Sequence, residues 1–302
     1  MIDDNSMSDY NLLPIGFYDS FGDNAVKTYR LNNKVIDYLL DNDFELFNPS
    51  PVEFASSNNN LDQKFSVVDT LSDQLLTIRS DITSQTARVI DYTDSDYLKI
   101  CYSGVVLRLN IDQNNHARSI RQTGFEILSN DTNRLVAEES ILHFSKLMQR
   151  VNSGSYHAVF SSVTSLKLLS SLLGVDYDNF ADIVKKNDFD KIFNLSSYEN
   201  LKAILAPKDF NFFAKEEFRD YDNIFCNYFS SINKFVSYIP KDMVDKFVFD
   251  PLELNFKGYN SGFCFKVVDD ISGKVIARGG NFNISDYKNC FGATFYLEEI
   301  NH

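Results

Sequence analysis

Two long extended runs separated by a polar loop constrain this chain more than any other feature. Residues 98–108 (Leu-Lys-Ile-Cys-Tyr-Ser-Gly-Val-Val-Leu-Arg) and 120–128 (Ile-Arg-Gln-Thr-Gly-Phe-Glu-Ile-Leu) carry the β-branched and aromatic content of strands. A chain that places them side by side builds a sheet. Residues of like parity share a face of a strand. Gln122, Gly124 and Glu126 therefore point one way, and Thr123, Phe125 and Ile127 the other. Gln122 and Glu126 sit roughly 13 Å apart at about 3.3 Å per residue, with a bare glycine between them. Arg108 shares its parity with Tyr102 and Gly104. A face with an arginine, a glutamine and a glutamate above two glycine gaps suits a zwitterion such as an amino acid. The competing reading is that this face meets solvent, as in many antiparallel sheets.

Just upstream, Leu76-Thr-Ile-Arg-Ser-Asp-Ile-Thr83 leads into a helix expected over 84–92. Asp81 or Thr83 is placed to cap that helix; the alternative is that Asp81 holds a ligand's ammonium. His116 lies in the polar loop between the two runs, where solvent exposure is the simpler expectation.

The rest of the chain supplies elements around this centre. A helix is expected over 19–41, with Tyr29, Ile36 and Leu40 on one stripe, and a strand pair at 65–68 and 74–78. Ala137, Ile141, Phe144, Met148 and Val151 mark an amphipathic helix over 133–150. Residues 164–240 read as a helical insertion. Strand signals return at 246–249 and 262–268, the latter pairing with 274–278, and Gly279-Gly280 permits close backbone approach. Strands, a helical block and then strands again make the fold class α+β, a single domain over 1–302 with a mostly antiparallel sheet flanked by helices.

Composition excludes several function classes. A net charge of -13 over 302 residues opposes nucleic-acid binding, and no Lys/Arg run offsets it. Cys101, Cys226, Cys264 and Cys290 form no C-x-x-C pair, and the four histidines are scattered, so metal-ligand spacing is absent. Phosphate-loop, dinucleotide-fingerprint and G-x-S-x-G motifs are absent. The acidic N-terminus is unlike a signal peptide, and no apolar run approaches the ~18 residues of a membrane span. The expectation is a reduced, soluble, cytoplasmic protein that needs no cofactor and touches neither nucleic acid nor membrane.

On the residues quoted above, the chain resembles the catalytic core of histidyl-tRNA synthetases, and more closely the synthetase-like regulatory subunit of ATP phosphoribosyltransferase. Tyr259-Asn-Ser-Gly-Phe-Cys-Phe265 and Ala277-Arg-Gly-Gly280 extend the likeness, which is thin over 164–238. Arg79-Ser-Asp-Ile-Thr83, where synthetases have Arg-Pro-Glu-Gly-Thr, favours the regulatory subunit. The resemblance implies a class II synthetase fold that dimerises through the early helix and Pro49-Ser-Pro51. It also implies an amino-acid pocket of Asp81, Thr83, Arg108, Gln122, Glu126 and Tyr259, with no catalytic residue.

Departures bear on activity. Arg108 matches the first ATP-gripping arginine of such synthetases, but Asn110 stands where its glutamate partner belongs. Glu299 stands where the second arginine belongs, and a carboxylate there repels triphosphate. The histidine-specific pattern fades to Asn255-Phe-Lys-Gly-Tyr259, and the expectation is a chain without an anticodon-binding domain after the core. The leading expectation is a non-catalytic subunit that assembles with the short-form ATP phosphoribosyltransferase catalytic subunit, with histidine as candidate effector. A divergent amino-acid-activating enzyme and a stand-alone amino-acid sensor stay open.

Overall fold

The computed structural model describes residues 13–55, 64–109, 117–151, 154–186, 188–194, 208–209, 232–253 and 260–300. Helix α1 (Asp23–Leu40) leads to β1 (Glu45–Leu46) and then to β2 (Val52–Phe54), β3 (Ser66–Asp69) and β4 (Gln74–Ile78). A 3-10 turn (Thr83–Thr86) runs into α2 (Ala87–Ile90), followed by β5 (Tyr97–Leu107), β6 (Ser119–Ser129) and α3 (Val136–Val151). Next come β7 (Tyr156–Ser162), α4 (Val163–Leu172), α5 (Tyr177–Lys185), α6 (Phe189–Asn194) and β8 (Lys208–Asp209). Strands β9 (Phe247–Phe249), β10 (Asn260–Asp269), β11 (Val275–Ile284) and β12 (Tyr287–Phe295) complete the order before a last 3-10 turn at Leu297–Glu299.

Among the described residues the strands form a nine-stranded sheet, β1-β5-β6-β12-β11-β10-β7-β9-β8, and a three-stranded sheet, β2-β4-β3. The expected mostly antiparallel sheet is corrected to a mixed one. Its central run from β5 to β7 is antiparallel, but β1 pairs parallel with β5 and β7 parallel with β9. Parallel neighbours need a long crossover. The block expected as a helical insertion supplies one: in its described part, α4, α5 and α6 lie in the chain between β7 and β9. Alternation within a strand does not encode the direction of its neighbour, so the sequence pattern missed both parallel edges.

The parity argument fixes which face of the sheet does what. Phe125, Ile127, Phe291, Ala293 and Phe295 join Phe144, Leu147 and Met148 of α3 and Val35 and Leu39 of α1 in one buried core. On that same face Thr123 Oγ1 and Ser103 Oγ both donate to Asn32 Oδ1 of α1, at 2.8 and 2.7 Å. Helix α3 buries the expected Ile141, Phe144, Met148 and Val151. Helix α1 does not use the expected stripe. Leu31, Val35, Tyr38 and Leu39 are its buried residues, whereas Tyr29 and Leu40 are exposed. At 3.6 residues per turn the two stripes lie on roughly opposite sides of the helix. The period was right and the face was wrong.

The helix expected at 84–92 is shorter, because its first turn is 3-10, its N-cap position is Ile82 and no side chain caps it. Neither Asp81 nor Thr83 plays the capping role. Arg79 anchors the strand before it: its buried guanidinium donates to Pro49 O at 2.7 Å and Val105 O at 2.8 Å. Gly104 leaves room for it, since a Cβ there would come within 2.2 Å of Arg79 Nη2. Among the described residues no helix is long and apolar enough to cross a membrane, and no group of three His, Cys, Asp or Glu side chains is placed to hold a metal ion.

Candidate functional site

On the face of the sheet away from α1 and α3, the strand register gathers a polar cleft. Glu126 of β6 lies opposite Ile100 of β5 and Gly292 of β12, Gly124 opposite Tyr102 and Thr294, and Gln122 opposite Gly104. The cleft is lined by Asp81, Thr83, Gln122 and Glu126, with Arg278, Gly280, Gly292, Thr294 and Tyr296 among the other walls. It is tight, at about 60 Å³. The alternative that this face simply meets solvent is set aside: Gln122 and Glu126 are each 2% exposed.

Glu126 is the centre of the site. Its Oε1 accepts from Thr83 Oγ1 at 2.7 Å and from Tyr102 Oη at 3.0 Å. Tyr102 Oη is in turn 2.8 Å from Thr294 Oγ1. Because Tyr102 gives its proton to the carboxylate, Thr294 donates to Tyr102, and the three hydroxyls form a relay ending on one oxygen. Glu126 Oε2 is buried and has no hydrogen-bond partner among the described protein groups. Gly292 makes the space for it, since a Cβ at 292 would fall 1.5 Å from Oε2. With hydroxyls but no cation against it, burial dominates and pushes the Glu126 carboxyl up to about 7, partly offset by the bonds from Thr83 and Tyr102. Tyr102 is likewise pushed well above its ordinary range, by burial first and then by the Glu126 charge.

The neighbours fix its surroundings. Gln122 Oε1 accepts from Ile82 N at 3.2 Å, which ties the 3-10 turn to β6. Arg278 of β11 lines the same cleft as Asp81 and Glu126, so both signs of charge are represented in its wall. Such a lining can receive a small molecule carrying both an ammonium and a carboxylate, with desolvated charge-assisted bonds at each end.

Of the six residues expected from sequence, four meet here: Asp81, Thr83, Gln122 and Glu126. Arg108 lies past the end of β5 and does not line the cleft; its Nε donates to Ser80 O at 3.4 Å, and its buried Nη2 has no partner among the described protein groups. Tyr259, Asn110 and His116 fall outside the described residues. Sequence reasoning did not place Arg278, Gly292, Thr294 or Tyr296 in the site. Arg278 adjoins Gly279-Gly280, so the glycine pair was the signal available. Thr294 and Gly292 announce themselves only through the β6–β12 register.

Glu299 is buried in the 3-10 turn after β12, away from the cleft lining, and accepts an ion pair from Lys274 Nζ at 2.5 Å. The carboxylate that replaces the expected arginine already has its cation. Glu298 beside it is pushed upward chiefly by burial.

Comparison with known proteins follows the same lines. The family model for histidyl-tRNA synthetase matches residues 16–300. The chain is 26% identical over 200 residues to the ATP phosphoribosyltransferase regulatory subunit of Psychrobacter cryohalolentis, covering 64% of this chain and 49% of that one. The counterpart in Acinetobacter baumannii is 29% identical, over 42% of this chain and 35% of the relative. The chain thus spans about half or less of the length of these relatives. The Streptococcus gordonii regulatory subunit is 24% identical over 296 residues, covering 93% of this chain and 88% of the relative. Among solved structures, a regulatory subunit/histidyl-tRNA synthetase from Bacillus halodurans superposes with a TM-score of 0.78 at 15% identity, over 97% of this chain and 83% of that one. A chain of the ATP phosphoribosyltransferase HisG:HisZ complex of Thermotoga maritima gives 0.69 at 14% identity, over 89% and 97%. At such identities the superpositions speak for the fold alone, a class II aminoacyl-tRNA synthetase-like core. With its hydroxyl-fed buried glutamate, its mixed sheet and a family match running from residue 16 to residue 300, the chain belongs to the histidyl-tRNA synthetase family.

Proposed function

We infer that this chain is a non-catalytic regulatory subunit of ATP phosphoribosyltransferase. It assembles in the cytoplasm as a dimer with a short-form catalytic subunit and imposes histidine feedback on the first step of histidine biosynthesis. The near full-length match to the Streptococcus gordonii regulatory subunit carries this reading. The site supports it from the chemical side. The amino-acid half keeps Asp81, Thr83, Gln122 and Glu126 around a cleft, with Arg278 as the countercharge. At the nucleotide end, Arg108 keeps an Nη2 without a partner among the described protein groups, but Glu299, in the place of the second arginine, is a carboxylate neutralised by Lys274, so a triphosphate meets one arginine where the resembled synthetases supply two.

In this role the cleft binds an amino acid by its charged ends. Glu126 Oε2 and Asp81 take the ammonium, and Arg278 takes the carboxylate. At about 60 Å³ the cleft is well under the roughly 300–1,000 Å³ of ordinary ligand pockets, so entry displaces the side chains that line it. The protein performs no chemistry on the ligand; it reports occupancy to its partner.

The family match favours one second reading, a divergent amino-acid-activating enzyme. One pair of assays separates the two. Mixing the chain with a purified short-form catalytic subunit should raise phosphoribosyl transfer and produce a co-eluting complex. Amino-acid-dependent ATP–pyrophosphate exchange should stay at background. No activation and no co-elution overturns the regulatory reading, and exchange above background installs the second.

A further inference from the structure

A second cavity, remote from Glu126, is built between the first three turns of α1 from Asp23 to Lys34, the C-terminal end of α3 and Ile300. Its volume is about 500 Å³, and it is lined by Asp23, Val26, Lys27, Arg30, Leu31, Lys34, Gln149, Arg150, Val151 and Ile300. Four cations and one carboxylate face it, in a chain whose Asp and Glu outnumber its Lys and Arg 42 to 29. Lys27, Arg30 and Lys34 are spaced i, i+3 and i+7. They fall within roughly 60° of arc on α1, and Lys27 and Lys34 are separated by about 10 Å along its axis. Arg150 closes the group from α3, its guanidinium held 4.7 Å from the Tyr38 ring centroid.

Elsewhere some cations meet a carboxylate: Lys186 pairs with Asp182, and Lys274 with Glu299. None of the four cations here makes an ion pair among the described residues. Four like charges gathered around a single carboxylate, Asp23, keep a net repulsion that a bound polyanion relieves. Beside them the wall is apolar: Val26, Leu31, Val151 and Ile300. The cavity therefore offers charge for a phosphate group and an apolar surface for the body that carries it, in a volume within the usual range for small ligands.

We propose that this cavity binds a small organic phosphate of at least two negative charges, with Lys27, Arg30, Lys34 and Arg150 holding the phosphate and Val26, Leu31, Val151 and Ile300 packing its apolar body. The site is separate from the Glu126 cleft and does not depend on the regulatory reading.

The test is calorimetric titration of the full chain with ATP, and separately with inorganic tripolyphosphate, at about 0.1 M salt, where charges beyond ~10 Å are screened. ATP should bind saturably and more tightly than tripolyphosphate. The K27E/K34E pair should weaken ATP at least tenfold while retaining the wild-type far-UV spectrum and melting temperature. The K185E/K186E pair, exposed at the C-terminal end of α5, changes net charge by the same amount and should change ATP affinity less than twofold, as should Glu126→Gln in the other cleft. The proposal is overturned by any one of these: no saturable binding, an equal loss in both reversal pairs, unchanged affinity in K27E/K34E, or tripolyphosphate binding as tightly as ATP. A loss in Glu126→Gln alone would move the ligand to the other cleft and likewise refute it. Should K27E/K34E fail to fold, the milder Arg30→Gln is titrated in its place against the same limits, with a threefold loss expected.

Discussion

The most direct consequence of the site's construction is a pH-dependent stability that Glu126→Gln abolishes. The Glu126 carboxyl titrates at 4.5 in its ordinary state and is pushed to about 7 in the folded chain, chiefly by burial. Between those values the native state holds a proton that the unfolded chain has released. Stability therefore falls as pH rises through this window. Below about 4.5 both states are protonated and the residue contributes nothing; above about 7 the native state carries a buried, cation-free charge. At 1.36 kcal/mol per pKa unit, the full loss is on the order of 3 kcal/mol. Glutamine keeps an oxygen to accept from Thr83 and Tyr102 and carries no charge, so it imitates the protonated form. The assay is urea unfolding of wild type and Glu126→Gln at half-unit steps from pH 4.5 to 8. The variant should match wild type near pH 4.5 and exceed it by roughly 3 kcal/mol at pH 8. Parallel curves across the range would refute both the burial argument and the absence of a cation beside Oε2.

Other perturbations follow from the same geometry. Gly292→Ala places a methyl 1.5 Å from Glu126 Oε2 and 2.8 Å from Phe125 O; this overpacking should cost about 1–3 kcal/mol and lower the melting temperature by several degrees. Tyr102→Phe removes one of the two bonds to Oε1, so it should cost on the order of 1 kcal/mol and push the Glu126 titration further upward, as read by carbon NMR of the labelled glutamate. An ammonium-bearing ligand in the cleft should pull that carboxyl down and release a proton near pH 7; calorimetry in buffers of different ionisation enthalpy measures it, and a binding enthalpy indifferent to buffer counts against ammonium recognition. Arg79→Ala strips two buried carbonyls, Pro49 O and Val105 O, of their donor and should cost about 2–5 kcal/mol, measured by chemical unfolding.

What the sequence disclosed follows from which physics is local. Strand parity is local, so the division of β6 into a Phe125 face and a Glu126 face could be read directly, and four of the expected site residues meet in one cleft. Helical period is local too, which is why α3 was legible. The side of α1 that packs depends on its neighbours, and two apolar stripes competed there; Leu31 and Val35 are buried while Tyr29 is exposed. Arg108 follows directly on β5, and its Nε is turned onto Ser80 O and not into the cleft, a side-chain choice that strand parity does not encode. Long-range register was invisible, so Gly292 and Thr294 emerged only when β12 was seen paired with β6. The parallel pairings of β1 with β5 and of β7 with β9, and the basic cavity beside α1, depend on the same kind of distant contact.

The two buried glutamates among the described residues, Glu126 of β6 and Glu299 of the turn after β12, stand in opposite electrostatic conditions. Glu299 and Glu126 are both nearly inaccessible, at 8% and 2% exposure. Glu299 is matched by Lys274 at 2.5 Å, so its charge is already spent on a protein partner and attracts no ligand of either sign. Glu126 receives only hydroxyls, and one of its oxygens is unmatched by any described protein group. A buried carboxylate in that condition is costly when ionised, and an incoming ammonium offsets the cost by supplying the missing countercharge. The uphill titration and the affinity for a cationic group are therefore two expressions of one imbalance. Glu299 shows no comparable imbalance, because its carboxylate is neutralised by Lys274. Glu126 Oε2 thus lacks a countercharge among the described protein groups, whereas Glu299 has one.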